Sequence, residues 1–156
     1  MRRTIISLSA CVVLFASGLV TPPSIAGGER HPLIRRAVVS LQAARDELRG
    51  AAHDYCGHRV GALEATNVAL NQLRKALSCA RRYDSGGEDL ETEPVMYRTA
   101  GAEPHPRIYA AIDALGAAQG DLQNAAHDYC GHRVEALEAV RAALTQLRLA
   151  IECDRR

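Results

Sequence analysis

The stretch AAHDYCGHRV occupies residues 51–60 and recurs without a change at residues 125–134. Each copy places two imidazoles and a thiol within a few residues of one another: His53, Cys56 and His58 in the first, His127, Cys130 and His132 in the second. Imidazole and thiolate are favoured ligands of zinc and copper. The pattern therefore predicts binding of copper or zinc, with His53, His58, His127 and His132 as ligands and Asp54, Cys56, Asp128 and Cys130 as secondary donors. Imidazole must be neutral to ligate, so such binding weakens below about pH 6. A ligand-free account competes with this one. Asp54 and Asp128 can accept N–H bonds from a following helix, Arg59 and Arg133 can pair with those carboxylates, and Tyr55 and Tyr129 can plug a core. Nothing in the chain predicts an enzyme: there is no nucleophile–base pair set in a pocket, no phosphate-binding glycine loop and no cofactor fingerprint.

The block belongs to a larger duplication. Residues 31–82 align without a gap onto residues 105–156, with 31 of 52 positions identical, ten of them in the block. Each copy reads as two helices. His31-Pro32 and His105-Pro106 are start signals, because proline suits the first helical turn. From there Ile34, Ala37, Val38, Leu41, Ala44, Leu48, Ala52 and Tyr55 recur at spacings of three and four, as do Ile108, Ala111, Ile112, Leu115, Ala118, Leu122, Ala126 and Tyr129. That is one apolar stripe per helix. Gly57 and Gly131 are natural left-handed stops. The second helix carries Val60, Leu63, Leu70, Leu73 and Leu77, matched by Val134, Leu137, Val140, Leu144, Leu147 and Ile151. Two helices of about 24 residues, roughly 36 Å, joined by a very short turn make an antiparallel hairpin. One hairpin cannot bury its stripe alone. The predicted fold is all-α, two duplicated hairpins forming a four-helix bundle; the alternative is hairpins that pair with other chains as a homo-oligomer. His31 and His105 lie at the far end of their own hairpins from the turn and read as helix-start residues.

The rest of the chain sets the context. Residues 1–26 have the form of a signal peptide: Arg2-Arg3, an apolar run from Ile5 to Val20, and Ser24-x-Ala26 before the cut. That run is about 16 residues, short for a bilayer span, so no integral membrane segment is expected after cleavage. A lipoprotein box at Leu8-Ser9-Ala10-Cys11 is the rival reading. Repeat 1 then covers residues 27–82, a flexible acidic linker residues 83–104, and repeat 2 residues 105–156. The full chain carries a formal charge of +1, about −1 without Arg2 and Arg3, which argues against nucleic acid as a partner. Cys56, Cys79, Cys130 and Cys153 form an even set in an exported, periplasmic or secreted chain, which predicts disulfides. Cys56 and Cys79 are separated by roughly 32 Å of helix, so bridges must join the copies or join chains. Turns sharing one end would give Cys56–Cys130 and Cys79–Cys153; a head-to-tail arrangement would give Cys56–Cys153 and Cys79–Cys130. The first is favoured, because an up-down-up-down bundle needs only a short path between copies. It would also bring all four block histidines to one end.

Gly57-His58 followed by Ala62-Leu63, Gly131-His132 followed by Ala136-Leu137, and His31 and His105 at helix starts resemble the small exported bacterial helical-hairpin proteins of the small metal-binding protein type. The resemblance covers the two repeats and implies a helical protein that binds copper or other divalent metals. It departs from that type in having no histidine in the middle of any helix, which limits the implied capacity to one or two sites at His53, His58, His127 and His132. Two functions follow: an exported metal-binding bundle, or a non-catalytic structural or protein-interaction module stapled by disulfides between the repeats.

Overall fold

A computed structural model describes residues 31–83 and 105–155. The leader and all of the predicted linker except Tyr83 lie outside the described residues. Four helices account for the regular structure: α1 Pro32–Gly50, α2 His58–Tyr83, α3 Pro106–Asn124 and α4 His132–Asp154. Among the described residues there is no strand, as the three-and-four periodicity requires.

The buried positions follow a strict alternation of large and small side chains. In α1 they are Ile34, Ala37, Leu41, Ala44 and Leu48, and in α3 Ile108, Ala111, Leu115, Ala118 and Leu122, all with no exposed surface. In α4 the run is Ala136, Val140, Ala143, Leu147 and Ala150, and in α2 Ala62, Thr66, Ala69, Leu73 and Ala76. Spacings of 3 and 4 keep one seam facing the partner helix, and the alanines let the backbones approach while the leucines fill the layers between them. Each fully buried Leu or Ile contributes about 1.5–3 kcal/mol from burial. Thr66 is the polar member of the seam, and its hydroxyl donates to the Ala62 carbonyl at 2.8 Å within its own helix. The sequence stripe was too generous at its edges: Val60 and Val134 are 42% exposed, and Ala52 and Ala126 are exposed beyond the helix ends.

Helix α1 packs on α2 and α3, and α4 packs on the same two, leaving α1 and α4 across one diagonal and α2 and α3 across the other. Neighbours are antiparallel. Along α1 and α3, Arg36 meets Asp121 and Glu47 meets Arg107. Along α2 and α4, His58 meets Gln146 and Gln72 meets His132. The two repeats therefore lie head to tail, with their turns at opposite ends. The disulfides are Cys56–Cys153 and Cys79–Cys130, each with Cα atoms 6.3 Å apart. This corrects the favoured pairing of Cys56 with Cys130 and Cys79 with Cys153. The physical reason lies in the connection: from Tyr83 at one end of α2 to His105 beside Tyr55 at the other, the chain must cover about 39 Å. Twenty-one intervening residues can reach about 70 Å, so the long linker suits the head-to-tail arrangement and a short path was never required.

The hairpin turns also differ from the expected form. α1 and α3 end at Gly50 and Asn124, so residues 51–57 and 125–131 are connecting segments rather than helix and stop. Tyr55, Cys56 and Gly57 lie in succession in the left-handed region (φ 53°, 56° and 83°), and Tyr129, Cys130 and Gly131 repeat this (55°, 58° and 84°). Only glycine enters that region without a steric cost; tyrosine and cysteine lose roughly 1–2 kcal/mol each there. Such residues persist where their surroundings over-determine them. Here each is pinned, the tyrosine by burial and a hydrogen bond, the cysteine by a disulfide.

Candidate functional site

The block's side chains reach across to the other repeat. Tyr55 is 7% exposed, and its hydroxyl lies 2.9 Å from Nδ1 of His105, at the start of α3. His105 Nε2 lies 2.6 Å from Oδ2 of Asp154, at the end of α4. With the ring neutral, Nε2–H donates to the carboxylate and Nδ1 accepts the Tyr55 O–H. Burial, and next the Asp154 charge, raise the Tyr55 phenol above its ordinary value of 10.0, against the opposing pull of Arg59. The phenol therefore stays a donor. Cys56 and Cys153 are the immediate chain neighbours of Tyr55 and Asp154, so a covalent link and a hydrogen-bonded chain tie the same two segments together.

The second end repeats most of this. Tyr129 is also 7% exposed, and its hydroxyl lies 3.0 Å from Nδ1 of His31. The Cys79–Cys130 bridge stands beside it. The counterpart of Asp154 under the repeat is Ala80, so the carboxylate belongs to one end only. His31 and His105 both take left-handed backbone (φ 62° and 72°) and make no side-chain cap on their own helices. They start helices, as expected, and also latch the opposite turn, which the sequence did not reveal because the latch joins residues 50 and 98 positions apart.

Four block histidines do not converge. His58 donates from Nδ1 to Gln146 Oε1 at 2.8 Å, and His132 to Gln72 Oε1 at 3.1 Å. Gln72 is fourteen residues along α2 from His58, about 21 Å, and His53 and His127 sit farther out at opposite ends. The expected single cluster of His53, His58, His127 and His132 is thus divided by the head-to-tail packing. Cys56 and Cys130 are oxidised and do not offer thiolates. Among the described residues no three His, Cys, Asp or Glu side chains are grouped to share an ion.

What does assemble is a group of three rings at each end. His53, Tyr55 and His105 have centroid separations of 5.9 Å (His53–Tyr55), 5.3 Å (Tyr55–His105) and 6.4 Å (His53–His105), each pair edge to face. They border a half-open pocket of about 250 Å³ that is also lined by Gly50, Ala51, Pro106 and Arg107. His127 and Tyr129 (5.9 Å) and His31 and Tyr129 (5.2 Å) form the counterpart.

The remaining block residues finish the helix ends. Arg59 donates to the Leu48 carbonyl at 3.1 Å and Arg133 to the Leu122 carbonyl at 2.9 Å, covering terminal acceptors that α1 and α3 cannot satisfy themselves. Arg133 also reaches the His127 carbonyl at 2.9 Å. These arginines therefore cap helices instead of pairing with Asp54 and Asp128. The exposed aspartates contribute backbone oxygens, which accept the N–H of Arg59 and Arg133 at 3.4 Å. No helix among the described residues is long and apolar enough to cross a membrane. Compared with family models, curated proteins and solved structures, the chain matches none.

Proposed function

We propose that the protein is an exported, non-catalytic structural or protein-interaction module, a four-helix bundle clamped for an oxidising compartment. The observation that carries this reading is the fate of the repeated block. Tyr55, Cys56 and His58, with their counterparts Tyr129, Cys130 and His132, all bind the opposite repeat, while Arg59 and Arg133 cap helices. A block used this way is constrained without any ligand. Two disulfides accord with secretion into an oxidising environment, and the signal-like residues 1–26 supply a route there.

Metal binding is the second reading, and one observation favours it: the pairing of His53 with His105 beside Tyr55 on a pocket wall. Two imidazoles and a phenol oxygen are a donor set that copper(II) or zinc accepts. The likeness to small metal-binding proteins adds less, because it rests on His58 and His132, whose Nδ1 atoms are bonded to glutamines. Calorimetric titration of the oxidised protein with copper, zinc and nickel at pH 7.5 separates the two. The module reading expects no binding at micromolar metal. One equivalent per bundle end, abolished by His53→Ala with His127→Ala while the helical signal is kept, would replace it with the metal reading.

A further inference from the structure

The contacts that join the repeats have a property that one repeat alone already contains. Shifted by the repeat offset of 74, Tyr55–His105 becomes Tyr55–His31, His58–Gln146 becomes His58–Gln72, and Cys56–Cys153 becomes Cys56–Cys79. None of these pairs can form inside one hairpin, whose helix α2 holds Cys56 and Cys79 roughly 32 Å apart. All of them can form between two antiparallel copies of the same repeat. The buried seam agrees: Ile34, Ala37, Leu41, Ala44 and Leu48 in α1 match Ile108, Ala111, Leu115, Ala118 and Leu122 in α3 residue for residue. In α2 and α4 the seam differs by Thr66 against Val140, and Thr66 satisfies its hydroxyl within its own helix.

We propose that the face joining the repeats is also a docking face for a second copy of this chain, and that repeat 1 pairs with repeat 1 of that copy through two reciprocal Cys56–Cys79 disulfides. This names the partner for the interaction module proposed above and rests on that reading. Charge complementarity favours repeat 1 over repeat 2 as the self-pairing half. Asp121, whose side chain is 8% exposed, is held by Arg36 at 2.8 Å. The repeat equivalents of Asp121 and Arg36 are Glu47 and Ala110. Repeat 1 against itself sets Arg36 opposite Glu47, an ion pair. Repeat 2 against itself sets the buried Asp121 opposite Ala110 and strands a carboxylate, which costs several-fold in association.

The test uses the full chain with Cys130→Ala and Cys153→Ala, oxidised at a series of protein concentrations. The expected product is a covalent dimer on a non-reducing gel, with Cys56–Cys79 as its linked peptide. The converse variant, Cys56→Ala with Cys79→Ala, should give several-fold less dimer. A folded Cys130→Ala/Cys153→Ala monomer with two free thiols overturns the proposal, as does a dimer linked Cys56–Cys56 or Cys79–Cys79, because antiparallel pairing forbids both. Should that variant lose its helical signal, reoxidation of the reduced wild-type chain decides. A Cys56–Cys79 peptide in its dimer fraction supports the proposal, and its absence at every concentration overturns it. Neither result bears on metal uptake, so this proposal can fail while the module reading stands.

Discussion

Removing one disulfide at a time tests whether the clamps act through the unfolded chain. Cys56–Cys153 closes 97 residues and Cys79–Cys130 closes 51. Read singly, the loop-entropy relation puts them at about 4.7 and 4.1 kcal/mol. The bridges are nested, however. With the inner one in place, the outer closes only two arms of 23 residues, from Cys56 to Cys79 and from Cys130 to Cys153. Its contribution then falls to about 4 kcal/mol, close to that of the inner bridge. Cys56→Ala/Cys153→Ala and Cys79→Ala/Cys130→Ala should therefore destabilise by similar amounts, about 4 kcal/mol each, lowering Tm by roughly 15 °C in a chain of this size. Urea unfolding followed by helical circular dichroism measures both, with fully reduced wild type as the limit. A difference of 2 kcal/mol or more between the variants would refute the nested-loop reasoning. A loss below about 1 kcal/mol in either would show that left-handed backbone at Cys56 or Cys130 offsets what the bridge contributes.

Three further outcomes follow from the same geometry. Gly57→Ala and Gly131→Ala place a methyl where no atom lies within 4 Å, so their cost is that of left-handed backbone alone, about 1 kcal/mol each; equal shifts of the urea midpoint are expected, and no shift would mean the turn relaxes freely. Burial raises the Asp121 carboxyl above its ordinary 3.8, with Arg36 pulling the other way. The folded chain thus holds that proton more tightly than the unfolded one, and the group's contribution to stability falls as pH rises from about 4 through the raised value. Asp121→Asn should remove this part of the pH slope between pH 3.5 and 7, and parallel slopes in wild type and variant would refute it. For Tyr55, also raised, stability is full below about pH 10 and is lost as pH climbs through the folded value. Absorbance titration should show a phenol ionising late, moving back toward 10 in Asp154→Asn, and an unchanged titration there would remove Asp154 from the account.

Local periodicity made the helices legible because each buried position of α1 and α3 repeats at three or four residues, and that spacing is a property of one segment. The turns were less legible. Gly57 and Gly131 announce left-handed backbone, but nothing local says that Tyr55, Cys56, Tyr129 and Cys130 share it, since those residues take it only when held from outside. Arg59 and Arg133 were misassigned for a related reason. An adjacent aspartate is the nearest charge in sequence, whereas the unsatisfied carbonyls of Leu48 and Leu122 become the nearest acceptors only once the chain has turned.

The candidate site failed to show in the sequence at the level of packing order. Every ring cluster takes members from both repeats, so its composition depends on which ends coincide. Parallel placement would have gathered His53, His58, His127 and His132; antiparallel placement instead sets His53 with His105 and His127 with His31's partner Tyr129. Linker length was the available signal for choosing between them. A four-helix chain whose second and third helices are sequential neighbours in space needs only a short loop there, and 21 residues between Tyr83 and His105 exceed that need. They match the one arrangement in which α2 and α3 run parallel across a diagonal and the chain must return the length of the bundle. The same arrangement makes each repeat the mirror of its partner's requirements, so the histidines that look like ligands in one copy are accounted for as latches only when the other copy is in place.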